Sequence, residues 1–268
     1  MSKYITIAGL GWLGQPFAQH LKFQGFEVKG SVTDLNKAQS ISANGIEAYT
    51  LLLGEQGVSG QVDALLENTA VLAIIIPPGL RRDTGSNYAL KMARFLEVIE
   101  QAGIQKVILV SSTSVYDDAQ GVVTERIIPK PVLFAAKQLF EVEQLFFNAP
   151  QLKTTIVRFG GLFGGSRNPV RFLAGRTGLR NGNAPVNLIH RDDCIGILTA
   201  IIKQDAFGHI FNAVMPEHPL KGVYYTEQAQ KLGLESPHYE EGVTEEVYKQ
   251  VDSDNLSTIL VYTFKHQL

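Results

Sequence analysis

Short apolar segments alternate with longer amphipathic segments through the first 160 residues of the chain. The apolar segments have the length and β-branched content of buried strands, and the amphipathic ones place apolar residues at helical spacing. The predicted strands are Tyr4–Ala8, Phe26–Lys29, Ala70–Ile76, Lys106–Val110 and Thr154–Val157. The predicted helices are Pro16–Phe23, Leu35–Ala43, Gln61–Glu67, Tyr88–Ala102 and Val132–Phe147. This alternation predicts an α/β fold, a Rossmann-type doubly wound parallel sheet with helices on both faces.

The pattern changes after Gly160. Glycine and arginine become frequent, the strand signals become irregular, and helices are predicted again at Arg191–Lys203 and Thr226–Leu232. We therefore expect a Rossmann-type domain over residues 1–165 and a smaller C-terminal lobe over residues 166–268. Segments of this lobe are expected to be interleaved with the last strands of the sheet.

Composition and charge narrow the range of partners. The chain has 268 residues, 45% hydrophobic and 19% charged, with a formal net charge of −2. We expect neither nucleic acid nor a membrane as a partner, because both require a concentrated basic patch and no apolar run reaches the roughly 18–20 residues of a membrane span. The first residues lead into a strand without the apolar region of a signal peptide. Cys194 is the only cysteine of the sequence, so no intrachain disulfide is possible and a cytoplasmic location is expected.

A glycine pattern follows the first predicted strand. Residues 9–14 read Gly-Leu-Gly-Trp-Leu-Gly and fit G-x-G-x-x-G. In a dinucleotide-binding loop the first glycine permits the tight turn, the second lets a pyrophosphate approach the backbone, and the third lets the helix pack closely on the strand. The helix that follows presents unpaired N–H groups to the phosphates. The residues expected to bind NAD(P) here are Gly9, Gly11, Trp12, Leu13 and Gly14. The alternative is a strand–helix turn that uses glycines for its shape alone.

The end of the second predicted strand bears on the choice between NAD and NADP. An NAD site usually has an acid about 20 residues beyond the glycines to bind the ribose 2′-OH. Here that position holds Gly30 or Ser31, and the first acid is Asp34. Polar residues that can hold a 2′-phosphate are Ser31, Thr33, Lys29 and Lys37. We predict NADP as the cofactor, with NAD as the alternative, and Asp34 as the N-cap of the helix at Leu35–Ala43.

Four later segments resemble the extended short-chain dehydrogenase/reductases of the epimerase/dehydratase branch. They are Val110–Tyr116 (VSSTSVY), Arg158–Gly164 (RFGGLFG), Asn187–Asp193 (NLIHRDD) and Phe211–Ala213 (FNA). The segments follow the order of that family and span nearly the whole chain. Together with the glycine loop and residues 208–210, the sequences of these segments are similar to those of an atypical bacterial subgroup of the family.

The resemblance implies a hydride-transfer site beside Ser111 and Ser112. In that family a Ser or Thr at this place hydrogen-bonds the substrate oxygen. A Tyr in a Y-x-x-x-K motif acts as acid and base, and its Lys lowers the Tyr pKa and holds the nicotinamide ribose. Ser112 matches the substrate hydroxyl, Ser111 is expected to face the cofactor, and Lys137 matches the lysine. The alternatives are serines that cap the strand end and a solvated lysine.

The sequence departs from the family at the tyrosine. The residue four before Lys137 is Leu133, and the nearest aromatic is Phe134. Neither side chain exchanges a proton, so the ~10²–10⁴-fold contribution of general acid–base catalysis has to come from elsewhere or be absent. The candidate replacements are Tyr116, His190, Tyr224 and Tyr225, each of which is otherwise a packing residue.

Two further features bear on ligands. Pro77 and Pro78 end a strand at the carboxyl edge of the sheet, so we expect them to form a wall beside the adenine or the nicotinamide ribose. Arginines favour an anionic substrate, with a solvated surface as the alternative. They are Arg81, Arg82, Arg158, Arg167, Arg171, Arg176 and Arg180. No His/Cys cluster, G-x-S-x-G or Walker loop is present, so a metal site is not expected.

These features predict an NAD(P)-dependent oxidoreductase or epimerase/dehydratase-like enzyme with a small substrate, anionic or similar to a nucleotide sugar. The alternative is a catalytically degenerate NADP(H)-binding sensor that lacks the tyrosine. A protein without any ligand would require the glycine loop to be purely structural. A homodimer through the helices at Tyr88–Ala102 and Val132–Phe147 is expected by resemblance alone.

Overall fold

A computed structural model describes residues 3–79, 87–240 and 247–268 of the chain, so Arg81 and Arg82 lie outside the described residues. The first elements are β1 (Tyr4–Ala8), α1 (Gly14–Phe23), β2 (Glu27–Val32), α2 (Leu35–Ala43), β3 (Glu47–Gly54), β4 (Gly57–Gly60), α3 (Val62–Leu66) and β5 (Thr69–Ile74). The middle of the chain forms α4 (Tyr88–Gln101), β6 (Lys106–Ser112), β7 (Val122–Val123), α5 (Phe134–Phe147), β8 (Lys153–Phe159) and β9 (Gly161–Phe163). The last elements are α6 (Pro169–Leu173), β10 (Leu188–His190), α7 (Arg191–Lys203), β11 (Ile210–Ala213), α8 (Lys221–Lys231), β12 (Gln250–Val251) and α9 (Asn255–Thr258).

Eight strands form the main sheet in the order β11-β8-β6-β5-β1-β2-β3-β4. Neighbouring strands are parallel except β3 and β4, which form an antiparallel hairpin at one edge. The chain extends from β1 through β2 and β3 on one side and from β5 through β6 on the other, so the strand order reverses between β1 and β5. The predicted Rossmann-type doubly wound sheet is therefore confirmed. Sheets of this kind bind ligands outside the carboxyl ends of the strands at such a reversal.

Helices cover both faces of the sheet and bury two separate cores. The first core joins α1, α2 and α7 to one face, where Ile7, Phe17 and Leu198 are inaccessible to solvent. The second core joins α3, α4 and α5 to the other face. Each large apolar side chain that is fully buried contributes roughly 1.5–3 kcal/mol, so these two layers hold the sheet edge in a fixed position.

The C-terminal segment contributes to the main sheet and also forms a small core of its own. Its strand β11 pairs with β8 at the sheet edge, and β12 pairs with β7. The small core packs α6 and α8 together and includes Val170, Tyr224 and Tyr225. None of the helices in the described part of the chain is both long and apolar enough to cross a membrane.

Candidate functional site

The glycine loop lies between β1 and α1, at the reversal of strand order. Gly9 has a φ of +111°, and a Cβ there would lie 2.8 Å from the carbonyl oxygen of Ile75, which follows β5. A Cβ on Gly14 would collide with the carbonyl oxygen of Gly9, so the start of α1 lies directly on the end of the strand. A Cβ on Gly11 would meet no atom of the described residues within 4 Å. Gly9 therefore forms the tight turn, Gly11 leaves the face of the loop open, and Gly14 lets the helix pack closely on the strand. This is the geometry that a dinucleotide pyrophosphate requires.

The loop is anchored on β2 through Ser31. The Ser31 Oγ accepts the N–H of Gly9 at 3.2 Å, and the Ser31 carbonyl oxygen accepts the N–H of Leu10 at 2.7 Å. Ser31 is buried. Its side chain thus supports the loop from beneath, and its predicted contact with a bound cofactor stays a prediction.

The turn after β2 contains the groups expected to lie near a ribose 2′ position. Asp34 is the N-cap of α2, with its Oδ1 accepting the N–H of Lys37 at 2.8 Å, so the predicted cap is confirmed. Thr33 and Lys37 are exposed. The expectation that Lys29 supplies charge here is wrong, because its Nζ points to the other face of the sheet.

Lys29 is buried among acceptors that explain this orientation. Its Nζ donates to the carbonyl oxygens of Ala64 and Glu67, both at 2.7 Å, and lies 4.8 Å from the ring centroid of Tyr4. Burial lowers the pKa of this amine, and the two carbonyl groups satisfy it. Lys29 therefore fastens α3 to the sheet.

Pro77 and Pro78 follow β5 at the carboxyl edge of the sheet. The N–H of Ile75 donates to the carbonyl oxygen of Ala8 at 2.8 Å, which places this segment beside the glycine loop. Pro77 is exposed and Pro78 is half-buried. Their predicted role as a wall of the cofactor site fits this position and stays a prediction.

The two serines at the end of β6 face opposite sides of the sheet. Ser112 is partly exposed, and its Oγ accepts the N–H of Ser114 at 3.1 Å, which caps the short 3₁₀ turn at residues 113–115. No acceptor for its hydroxyl hydrogen is found among the described residues, so this hydrogen can bond a ligand. Ser111 is buried and donates to Glu143 Oε1 at 2.6 Å. The expectation that Ser111 faces the cofactor is therefore wrong, because its side chain turns toward α5.

Ser111 belongs to a buried polar network that the sequence did not suggest. Arg158 of β8 and Glu143 of α5 form an ion pair with Nη2 to Oε2 at 2.7 Å, and their side chains are 2% and 0% exposed. Arg158 Nη1 also donates to the hydroxyl of Tyr116 at 2.6 Å. Arg158 is thus fully engaged inside the protein, and its predicted contribution to an anionic substrate site is wrong.

Tyr116 lies at the centre of this network and is fully buried. Its hydroxyl donates toward the carbonyl oxygen of Thr124 at 3.1 Å or Asn212 Oδ1 at 3.2 Å. Burial raises the pKa of this phenol, although Arg158 opposes the shift. A tyrosine that acts as a base needs the reverse, a lowered pKa and access to the substrate. In this conformation Tyr116 is a structural residue.

The start of α5 occupies the place where the family motif puts its tyrosine. Leu133 and Phe134 are 72% and 70% exposed, so the surface there is apolar and carries no group that exchanges protons. Lys137 is exposed one turn into the helix. Because α5 packs against the 3₁₀ turn after Ser112, the motif helix and the serine belong to the same end of the sheet.

The other candidate acids and bases are held by structural contacts. His190 caps α7 by accepting the N–H of Asp192 at Nδ1, and its ring stacks on His266 at a centroid distance of 3.7 Å. Burial, followed by the charge of His266, lowers the His190 pKa. Tyr224 and Tyr225 are buried in the small core, and burial raises the pKa of both.

Three groups of metal-binding type meet beside α7, although a metal site was not expected. The ligand atoms of His190, Asp192 and His266 lie within 4.8 Å of one another. The N–H of Asp192 already occupies His190 Nδ1, so this nitrogen is engaged in capping α7. The sequence did not reveal this group because His266 is remote from the other two in the chain.

Comparisons with known proteins agree with this geometry. Residues 9–205 match the model of a family described as NAD(P)H-binding. Protein YeeZ of Escherichia coli K12 is 35% identical over 269 residues, which cover 98% of this chain and 96% of the relative, so the resemblance to an atypical bacterial subgroup is confirmed and that subgroup is the YeeZ type.

Solved structures share the fold at lower identity. UDP-glucuronic acid 4-epimerase from Bacillus cereus, in complex with UDP-glucuronic acid and NAD, superposes with a TM-score of 0.78 at 18% identity and covers 98% of this chain and 95% of its own. A short-chain dehydrogenase/reductase superfamily protein from Agrobacterium tumefaciens with bound NAD gives a TM-score of 0.73 at 17% identity, with coverage of 98% and 93%.

Proposed function

Because this chain belongs to the NAD(P)H-binding family, we propose that it is an epimerase/dehydratase-like oxidoreductase that uses NADP(H) and a small anionic substrate. The observation that carries the proposal is the glycine loop at the reversal of strand order, with open space over Gly11 and close packing at Gly14. A bound nicotinamide would supply hydride transfer. One structural relative is an epimerase in complex with UDP-glucuronic acid and NAD, which suggests a nucleotide sugar as the class of substrate.

The chain's own residues have separate tasks in this proposal. Backbone N–H groups at the start of α1 bind the pyrophosphate, since a helix N-terminus carries unpaired donors and partial positive charge. Ser112 donates its free hydroxyl hydrogen to the substrate oxygen, and Lys137 holds the nicotinamide ribose. Leu133 and Phe134 present an exposed apolar surface beside them, which a bound substrate would cover.

The first test is calorimetric titration of the protein with NADPH, NADP, NADH and NAD in parallel. We expect the phosphorylated pair to bind more tightly, because the turn after β2 presents Lys37 and Thr33 and uses the Asp34 carboxylate as a helix cap. A protein that binds none of the four dinucleotides would overturn the proposal.

A Lys37→Ala variant should bind NADPH about 5- to 10-fold more weakly, with NADH affinity unchanged, because it removes a cation opposite the 2′-phosphate alone. Lys153→Ala is the matched control, since Lys153 is an exposed lysine at the amino edge of the sheet, where β8 begins. Equal loss of NADPH and NADH affinity would contradict the assignment of Lys37 to the 2′ position.

Replacing Ser112 should separate chemistry from binding. With NADP present and UDP-glucuronic acid or UDP-glucose as trial substrate, we expect Ser112→Ala to lower kcat about 10²–10³-fold, the usual cost of one donor to a reacting oxygen. NADPH affinity should stay unchanged. Ser112→Thr should restore turnover, and Ser114→Ala, on the exposed next turn, should leave it unchanged. Full turnover in Ser112→Ala would remove Ser112 from the mechanism.

A second candidate function is an NADP(H) sensor without hydride chemistry. The position of Leu133, together with the burial of Tyr116, favours it, because neither supplies an acid or base to a substrate. The titration above and product chromatography distinguish the two functions. Tight NADPH binding without turnover of any sugar nucleotide supports the sensor.

A further inference from the structure

Two arginines from the C-terminal segment lie over the glycine loop. The guanidinium of Arg167 is 4.2 Å from the ring centroid of Trp12, and that of Arg191 is 5.5 Å from the same ring. Trp12 is the fourth residue of the G-x-G-x-x-G pattern. We propose that Arg167 and Arg191 bind the pyrophosphate of the dinucleotide and so close the cofactor site from the side opposite α1.

The loop before α6 is shaped to hold these side chains in place. Gly164 and Arg167 exchange backbone hydrogen bonds of 2.9 and 3.1 Å, which closes a tight turn. Gly164 and Gly165 both have positive φ, of +98° and +55°. A side chain on Gly165 would overlap the guanidinium of Arg191, and one on Gly164 would overlap the ring of His190. Glycine at position 165 therefore leaves the space that Arg191 occupies, and glycine at position 164 leaves the space of the His190 ring.

The charges at this place are incompletely matched within the described residues. Arg167 has no ion pair with any of them, and the buried Nε of Arg191 has no hydrogen-bond partner there. The closest carboxylate oxygen, Oδ1 of Asp192, is 3.7 Å from that Nε and too distant for a hydrogen bond. The buried Trp12 Nε1 also has no partner in the described part of the chain. Two guanidinium groups thus lie over the indole of Trp12, and two buried N–H donors at this place, Arg191 Nε and Trp12 Nε1, have no acceptor among the described residues. This combination indicates that an anion completes the site.

The position of the ring identifies which anion this is. Trp12 lies between Gly11, whose outer face is clear of the described residues, and Gly14, the first residue of α1, whose N–H has no backbone acceptor among them. A pyrophosphate on the first turn of α1 would have the helix on one side and the two guanidinium groups on the other. Arginine binds phosphate oxygens in bidentate geometry, and stacking on an indole orients its plane. The inference rests on the proposed function and moves Arg167 from substrate recognition to cofactor recognition.

The test compares ligands that differ in their phosphates. NADPH binding is followed by nicotinamide fluorescence, and ADP and adenosine are added as competitors, with the natural chain and with Arg167→Ala and Arg191→Ala. We expect each variant to bind NADPH and ADP about 10- to 100-fold more weakly, because a hydrogen bond to a charged group is lost. Adenosine affinity should be unchanged. Arg167→Lys should recover part of the affinity, and Arg94→Ala, an exposed arginine of α4 that pairs with Glu97, should behave as the natural chain.

Each alternative outcome is distinguishable. Unchanged NADPH and ADP affinities in both arginine variants would overturn the inference while leaving the proposed function intact. A parallel loss of adenosine affinity would also overturn it, since that would show a damaged loop. If the natural chain binds no dinucleotide, the proposed function itself fails.

Discussion

A Gly11→Val variant should remain as stable as the natural chain and bind NADPH at least about 100-fold more weakly. A Cβ at this position meets no described residue within 4 Å, and the φ of Gly11 lies outside the positive range, so the fold accepts a side chain there. Surface substitutions of this kind change stability by about 0.5 kcal/mol or less. The same side chain would fill the space in which a pyrophosphate approaches the loop. Thermal unfolding and calorimetric titration with NADPH measure the two effects.

Gly14→Ala is the informative control, because here we expect stability to be lost as well as NADPH affinity. Its Cβ would collide with the carbonyl oxygen of Gly9, so α1 has to move away from β1. Stability and NADPH affinity should therefore fall together. If Gly11→Val bound NADPH as tightly as the natural chain, the open face over Gly11 would not be the pyrophosphate site.

The sequence predicted those features whose signals are local. Alternation of apolar runs and amphipathic helices was sufficient for the sheet, and both α2 and α7 have the predicted bounds. The cap at Asp34 follows from one side chain beside one helix start. The hairpin of β3 and β4 was missed, because residues 47–60 combine a leucine run with scattered polar residues and two turn glycines and have no clear period.

Side-chain direction at strand ends could not be predicted from local signals. Ser111 and Ser112 are adjacent, so one of them must face each side of the sheet, and either assignment suits the sequence. The structure decides it through register, since Ser111 is opposite Arg158 in the neighbouring strand and both meet Glu143. The same holds for Lys29, whose acceptors follow from the position of α3. Pairings between distant segments determine these contacts, and no local pattern contains them.

The arginines illustrate the same limit. Arg158 and Arg167 are nine positions apart and suggested one cationic surface in the sequence. The first is inside the protein on Glu143, whereas the second lies on the ring of Trp12. Arginine is frequent in buried ion pairs as well as at phosphate sites, because the same planar fork suits both partners. Only the fold separates the two uses.

Glu143→Gln is expected to lower the free energy of unfolding by about 3–5 kcal/mol, the usual effect of leaving one charge of a buried pair uncompensated. Glutamine has nearly the volume of glutamate, so no cavity forms and the loss reports charge and hydrogen bonding. The amide would present N–H groups to Arg158 and Ser111, which are themselves donors to this position. Urea denaturation followed by circular dichroism gives the value. Glu97→Gln in the exposed pair with Arg94 should change it by less than about 1 kcal/mol.

A double variant, Glu143→Leu with Arg158→Met, tests why the single change is so costly. If the cost comes from an orphaned guanidinium, removing both charges should restore most of the stability, because apolar pairs of similar volume often replace buried ion pairs at little cost. Tyr116 would then lose its partner at Nη1 but keep Thr124 and Asn212. A double variant as unstable as Glu143→Gln would show that the network is required for packing around Tyr116. A Glu143→Gln variant no less stable than Glu97→Gln would show that the buried carboxylate is not what balances Arg158.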